Sequence, residues 1–136
     1  MTGSRSTEYY PLFLDVAGRD VVIVGGGAVS ARKAETLLRY GARVTIVAPE
    51  IAPEVEPLPV RVVRKTYDAD DLARATIVFA ATDDAAVNER VAADCRARGI
   101  LVNVAGAPTL GDFIVPAVVE SGPIQIAIST GGSSPA

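Results

Sequence analysis

The stretch VVIVGGGAVS at residues 21–30 decides the fold. Apolar residues that favour β-strand run directly into a cluster of glycines, and a helical pattern begins behind them. At such a junction Gly25 can take the backbone angles of a tight reversal. Gly27 leaves room for a pyrophosphate, whose charge then lies on the free N–H groups of the helix. Ser30 holds the third position of G-x-G-x-x-G and is small enough for close helix–strand packing.

The flanking residues place this turn in a βαβ unit. Ala34, Leu37 and Leu38 recur at helical spacing, and Gly41 follows where a helix ends. The next run, RVTIVA at residues 43–48, is again rich in β-favouring residues. Strand, glycine turn, helix and strand within about 30 residues form the unit that binds dinucleotides. The alternative is a structural glycine turn in an α/β protein that binds no nucleotide.

Length and composition predict one domain with a small partner. The chain has 136 residues, and 49% of them are hydrophobic, which is enough for an ordinary buried core. The net charge is −3 without a basic cluster, which argues against nucleic acid and against a polybasic membrane patch. Residues 1–8 lack the apolar core of a signal peptide, and no run reaches the roughly 18 apolar residues of a membrane span. We therefore expect a cytoplasmic protein without a membrane partner.

The use of cysteine and histidine excludes several kinds of site. Cys95 is the only cysteine and histidine is absent. This excludes disulfides, the usual zinc sites and a histidine general base, so we expect no metal centre. Cys95 falls in a helical pattern and is expected to be a core residue.

Strands and helices alternate along the middle of the chain. The further predicted elements are strands at residues 60–65, 76–81 and 100–104 and a helix at residues 85–98. This order predicts an α/β fold with a Rossmann-like, doubly wound parallel sheet, whose ligand sites lie at the carboxyl ends of the strands. Three loops would then meet in one crevice: residues 25–29, 48–51 and 81–84.

The pattern changes at residue 113. Residues 113–119 and 124–129 predict two strands joined by a turn, with no helix between them. A two-stranded apolar hairpin is marginal alone and its edges pair readily, which predicts a symmetric homodimer. We therefore divide the chain into an NAD-binding Rossmann domain at residues 1–112 and a hairpin dimerisation segment at residues 113–136. The end of that segment, residues 130–136, is typical of a hinge.

Taken together, the motifs resemble the amino-terminal module of siroheme synthase, the precorrin-2 dehydrogenase family. The resemblance rests on YPLF at 10–13, VGGGAV at 24–29 with Arg32 and Lys33, GAR at 41–43, AATDD at 80–84 with Val87 and Asn88, VNV at 102–104 before Pro108, FIVP at 113–116 and STGGSSP at 129–135. These motifs cover nearly the whole chain. The resemblance implies NAD-dependent oxidation of precorrin-2 to sirohydrochlorin on the route to siroheme, coupled in some members to ferrous iron insertion.

The resemblance also implies cofactor contacts. In addition to Gly25 and Gly27, they fall on Ala28, Val29, Pro49, Glu50, Thr82 and Asp83. Glu50 has an argument of its own, because an acidic residue after the second strand accepts hydrogen bonds from ribose hydroxyls and repels a 2′-phosphate, which favours NAD over NADP. The alternative for Glu50 is a solvated loop carboxylate. Candidates for the carboxylates of a tetrapyrrole substrate are Arg32, Lys33 and Arg90.

Two departures from the family pattern bear on activity. The resemblance places the family's catalytic aspartate at Gly106, and Asp112 is the nearest carboxylate along the chain; the alternative for Asp112 is a loop or cap residue. The family also continues beyond Ser-Pro with a helical segment. We expect a precorrin-2 dehydrogenase or its cofactor-binding domain. The alternatives are a non-catalytic NAD- or tetrapyrrole-binding module that has lost the aspartate, and a dinucleotide-sensing regulatory domain.

Overall fold

The computed structural model describes residues 7–131 and contains one parallel sheet and one separate hairpin. The elements of the sheet region are β1 (Asp20–Val24), α1 (Ala28–Arg39), β2 (Arg43–Ala48), β3 (Arg61–Arg64), the 3-10 turn η1 (Ala69–Leu72), β4 (Ile77–Ala80), α2 (Ala85–Arg98), β5 (Leu101–Val104) and the 3-10 turn η2 (Pro108–Leu110). The hairpin pairs β6 (Ala117–Ser121) with β7 (Ile124–Ile128) in antiparallel fashion.

The five strands lie in the order β3-β2-β1-β4-β5, and every neighbouring pair is parallel. This confirms the predicted Rossmann-like sheet. The chain builds from β1 out to β3 and then crosses to the other side of β1 to form β4 and β5. The order therefore reverses between β1 and β4, which is where open α/β sheets bind their ligands.

Side chains of the central strands alternate between two hydrophobic cores. The odd-numbered apolar residues of β1 and β4 face α1, where they pack with Ala31 and Ala34. The even-numbered apolar residues of β1, β4 and β5 face α2, where they pack with Val91 and Cys95. Because both faces of β1 and β4 are covered, residues 21–24 and 77–80 are continuous apolar runs. Burial raises the pKa of the Cys95 thiol to about 11, as expected for a core residue.

Helix α2 begins and ends at residues that favour a helix start and a helix end. The Asp84 carboxylate accepts hydrogen bonds from Ala86 N and Val87 N at the start of α2, which ends at Gly99 with φ +70°. These are the bounds that the sequence predicts for α2. Helix α1 starts at Ala28, directly after the glycine turn. No described helix has the length and apolar character needed to cross a membrane.

The first strand of the hairpin starts later than the sequence predicts. Residues 113–116 were expected in this strand, but β6 begins at Ala117. Phe113 instead packs edge-to-face on Phe79, with 5.6 Å between ring centroids, and its carbonyl accepts a hydrogen bond from Asn103 Nδ2 at 3.0 Å. Pro116 has no N–H to give to a strand ladder. Most of the predicted hinge at residues 130–136 lies outside the described residues.

Candidate functional site

The loops that follow β1, β2 and β4 meet at one edge of the sheet. Gly25 N donates a hydrogen bond to Val47 O at 2.9 Å, and Ala81 N donates one to Val24 O at 2.8 Å. Because the strands are parallel, all three loops lie at their carboxyl ends. The structure thus brings together the segments at residues 25–29, 48–51 and 81–84 that the sequence predicts to form one crevice.

Two glycines of the turn are required by close packing of main chains. Gly25 has φ +131°, and a Cβ there would clash with the carbonyl oxygen of Ala81. A Cβ at Gly26 would clash with the carbonyl oxygen of Glu50, and Gly26 O accepts a hydrogen bond from Ala52 N at 2.7 Å. Gly26 occupies a free position of the G-x-G-x-x-G pattern, so the motif alone does not reveal its role. The run of three glycines was the available signal.

Gly27 differs from these two because the space around it is open. It is the N-cap of α1 with φ −90°, and no heavy atom lies within 4 Å of a Cβ built there. The first backbone hydrogen bond of α1 runs from Ala31 N to Gly27 O, and no side chain caps the helix. Among the described residues, the N–H groups of Ala28, Val29 and Ser30 therefore have no partner. They form a cradle that suits a pyrophosphate.

Ser30 packs the helix onto the turn. It is fully buried, and its Oγ lies 3.1 Å from where a Cβ of Gly25 would stand. Within the part of the chain that the structure describes, this hydroxyl has no hydrogen-bond partner. The small side chain thus allows the close helix–strand contact that the sequence predicts for this position.

Glu50 follows Pro49 at the end of β2 and is exposed. Its carboxylate has no hydrogen-bond or ion-pair partner among residues 7–131. Glu56, further along the same loop, is paired with Arg64 at 3.0 Å. Glu50 is therefore free to accept hydrogen bonds from a ligand that lies against the cradle.

The loop after β4 is held in place by the buried side chain of Asn88. The N–H and the hydroxyl of Thr82 donate to Asn88 Oδ1 at 3.1 and 2.7 Å, and Asn88 Nδ2 donates to Thr82 O at 3.0 Å. On the other side, Asp84 is bonded to the first turn of α2. Asp83 lies between these two anchored residues. Asn88 is part of the sequence motif. Its role in holding the loop follows from hydrogen bonds to Thr82, six residues earlier, which the sequence alone does not reveal.

A cavity of about 180 Å³ opens at the carboxyl ends of β4 and β5. It is lined by Thr82, Asp83, Ala85, Asn88, Val104, Ala105, Gly106, Ala107 and Leu110. Gly106 has φ +78°, and nothing lies within 4 Å of a Cβ built there. Among the described residues, no group of three or more acidic, cysteine or histidine side chains could hold a metal ion.

Asp112 is not among the residues that line this cavity. Its backbone N donates to Val102 O at 2.7 Å, and its carboxylate accepts a hydrogen bond from Val102 N at 3.0 Å. Val102 is near the start of β5, whereas the cavity adjoins the end of that strand. The catalytic role of Asp112 stays a prediction, and its carboxylate is already engaged with the backbone.

The basic residues predicted for a substrate differ in their surroundings. Arg90 is engaged, because its Nη2 donates to Tyr67 O at 2.7 Å and its guanidinium lies over the Tyr67 ring. The Lys33 ammonium lies 5.2 Å from the centroid of the Phe79 ring. Partial burial, together with the nearby charge of Arg32, lowers the pKa of Lys33. Lys33 and Arg32, both on α1, remain as candidates.

A family model described as NAD(P)-binding matches residues 12–117. The chain belongs to this NAD(P)-binding family. The cradle at Gly27 suits the pyrophosphate that NAD and NADP have in common.

The chain is similar in sequence to siroheme synthases. The siroheme synthase of Ectopseudomonas mendocina (strain ymp) is 42% identical over 130 residues, which cover 94% of this chain and 28% of the relative. That of Psychrobacter sp. (strain PRwf-1) is 45% identical, with coverages of 93% and 27%. The chain thus spans less than a third of the length of these relatives.

A solved structure extends the likeness to the fold. SirC, precorrin-2 dehydrogenase, superposes with a TM-score of 0.79 at 36% identity, over 93% of this chain and 64% of the other. The resemblance that the sequence motifs indicate is therefore confirmed, and so is the fold class.

Replacing Gly27 with Val should remove cofactor binding without harming the fold. The backbone angles at Gly27 suit valine and the surrounding space accepts its side chain, but the side chain then fills the cradle. We expect the NAD affinity to fall about 100-fold, or ~3 kcal/mol, while the thermal midpoint changes little. Calorimetric titration and thermal unfolding measure the two quantities. A variant that binds NAD as well as the parent contradicts the assignment of the glycine turn.

Gly25→Ala is the matched control for that experiment. It adds a smaller side chain, but at a positive φ and against the Ala81 carbonyl. The free energy of unfolding should fall by about 2 kcal/mol or more. The two glycines thus separate a requirement of the fold from a requirement of the ligand.

Proposed function

We propose that this chain catalyses the NAD-dependent oxidation of precorrin-2 to sirohydrochlorin in siroheme biosynthesis. The observation that carries the proposal is the position of the cradle at Gly27 beside a cavity at the ends of β4 and β5. Its relatives are siroheme synthases, and a structural neighbour is a precorrin-2 dehydrogenase. Ferrous iron insertion in the same cleft is a further activity that the resemblance implies. We assign the reaction to the cytoplasm, as the sequence predicts.

The residues that would hold NAD come from three loops. The N–H groups of Ala28 and Val29 belong to the cradle and would bind the pyrophosphate, and Pro49 and Glu50 would contact the cofactor from the loop after β2. The remaining contacts fall on Thr82 and Asp83 after β4. Bound NAD⁺ supplies an acceptor for two electrons, and the protein supplies orientation and exclusion of water.

A second candidate function is a non-catalytic module that binds NAD or a tetrapyrrole. Gly106 favours it, because this residue lines the cavity without offering a side chain. Such a module would keep the cradle and lose the proton-handling group.

Turnover of the purified chain distinguishes the two candidates. We expect precorrin-2 and NAD⁺ to yield sirohydrochlorin and NADH in equal amounts, followed by the absorbance of both products. NAD binding without product formation would support the binding module. Absence of both NAD and precorrin-2 binding would contradict either function.

Glu50→Arg should change the preference between the two nicotinamide cofactors. The substitution exchanges an acceptor for ribose hydroxyls for a cation that can meet a 2′-phosphate. We expect the ratio of NADP to NAD affinity to rise by about tenfold or more, equivalent to ~1.4 kcal/mol. Glu54→Arg, four residues further along the same loop, is the control and should leave the ratio unchanged. An unchanged ratio for Glu50→Arg would place Glu50 outside the cofactor site.

We also propose that the hairpin mediates a symmetric dimer. Opposite residues of β6 and β7 share a face, and one face consists of Ala117, Val119, Ser121, Ile124, Ile126 and Ile128. We call this the apolar hairpin face. The other face is directed at the end of α1, where Glu120 pairs with Arg39 at 3.2 Å and Gln125 Nε2 donates to Tyr40 Oη at 3.4 Å.

The exposure of the apolar hairpin face supports a second copy as its partner. Its three isoleucines are 49–57% exposed. An isolated hairpin is marginal in water, and contiguous exposed apolar surface marks interaction sites. A second copy of the chain offers the same face and closes the assembly by a two-fold axis.

Ile126→Glu should therefore produce a monomer. A charge at the centre of the apolar hairpin face would have to be buried without a partner. Val118→Glu is the matched control, since Val118 is 47% exposed but lies on the other face of the hairpin. Sedimentation velocity over a range of concentrations measures the outcome. A strictly monomeric parent at high concentration would rule out the dimer.

A further inference from the structure

Oxidation of the proposed substrate leaves one proton to be placed. The reaction balances as precorrin-2 plus NAD⁺ giving sirohydrochlorin, NADH and one H⁺. The electron pair leaves the substrate as a hydride that reduces NAD⁺, and a separate proton has to reach a base. Such a base has to lie within hydrogen-bond reach of the substrate, directly or through one water. Histidine cannot serve, because the chain has none.

The cavity beside the cradle offers one candidate for this base. Asp83 is the one ionisable residue among the described residues that line it. Its side chain is exposed, and its carboxylate has no hydrogen-bond or ion-pair partner within the described ranges. Lysine, cysteine and tyrosine side chains do not contribute to this lining.

The neighbouring carboxylates are engaged in holding the backbone. Asp84 caps α2 by accepting from Ala86 N and Val87 N, and Asp112 accepts from Val102 N near the start of β5. Each of these two carboxylates is fixed in direction by the backbone N–H groups that donate to it. Asp83 differs from both because its carboxylate has no hydrogen-bond or ion-pair partner among the described residues.

The backbone of Asp83 is nevertheless fixed from both sides. Thr82 is bonded through its N–H, hydroxyl and carbonyl to the buried Asn88, and Asp84 is bonded to the first turn of α2. A free carboxylate on an anchored loop is the arrangement that a proton acceptor needs, since its position is set before the substrate binds. Gly106 lines the same cavity, and no heavy atom lies within 4 Å of a Cβ built there.

We propose that Asp83 is the general base of this chain, and that it accepts the proton that the substrate releases on oxidation. The proposal rests on the proposed function and names the group that performs one part of it. The resemblance assigns Asp83 to cofactor contact, and the same residue lines the cavity at the ends of β4 and β5, which we take as the place where the reacting part of the substrate lies. The carboxylate then returns the proton to water after product release.

Asp83→Asn tests the proposal, because it preserves size and removes the basic oxygen. We expect kcat to fall by about 10²- to 10⁴-fold, the contribution typical of a general base. The KM for precorrin-2 and the calorimetric Kd for NAD should stay within about threefold, which separates this role from cofactor binding. Asp83→Glu should retain part of the activity. Glu89→Gln, which neutralises an exposed carboxylate on α2, is the control and should leave kcat unchanged.

A second variant tests whether turnover requires a carboxylate in the cavity or the intact loop after β4. Gly106→Asp places a carboxylate on another residue that lines the cavity, where a Cβ meets nothing within 4 Å and where aspartate tolerates the positive φ better than most residues do. In the Asp83→Asn background it should restore part of the lost turnover.

Three results would overturn the proposal. They are full turnover in Asp83→Asn, a loss of NAD affinity that accounts for the loss of turnover, and abolition of turnover by Asp112→Asn while Asp83→Asn stays active. If the unmodified chain binds neither NAD nor precorrin-2 and makes no product, the proposed function itself fails. The two failures can be told apart. If the parent turns over and Asp83→Asn turns over at the same rate, only the assignment of Asp83 as the base is wrong, and the proposed function stands.

Discussion

The main-chain contact between the glycine turn and its two neighbouring loops is the constraint on which the structure depends. The carbonyl oxygens of Ala81 and Glu50 occupy the places where side chains of Gly25 and Gly26 would begin. This close approach lets the chain reverse within three residues and start α1 directly at the edge of the sheet. The unpaired N–H groups at the start of α1 therefore lie at the edge of the sheet where the loops after β2 and β4 also lie.

Each of the two hydrophobic cores positions a different part of the candidate site. The core under α1 fixes the helix whose N-terminus forms the cradle, while the core under α2 fixes the loop that carries Thr82 and Asp83. The helices lie on opposite faces because the chain crosses β1 between β3 and β4. The N-terminus of α1 and the cavity at the ends of β4 and β5 therefore lie at the same edge of the sheet.

Local signals in the sequence were sufficient for most of the fold. The bounds of α2 follow from an aspartate cap and a terminal glycine, and β2 follows from a run of β-favouring residues. The start of the hairpin could not be predicted in this way, because Phe113 is drawn out of the strand by its contact with Phe79, far away in the chain. The surroundings of Asp112 could not be predicted either, because its carboxylate accepts a hydrogen bond from the backbone N–H of Val102 in β5, ten residues earlier.

The weak attachment of the hairpin to the body has a consequence for its local stability. The polar side-chain contacts described between the hairpin and α1 are an ion pair between side chains that are 62% and 38% exposed and one hydrogen bond of 3.4 Å. An exposed pair of this kind contributes about 0–1 kcal/mol. In a single copy of the chain, the backbone amides of β6 and β7 should therefore exchange with solvent through local opening far more readily than those of β1 and β4. Slower exchange of these amides would show that another surface covers the isoleucines of the apolar hairpin face.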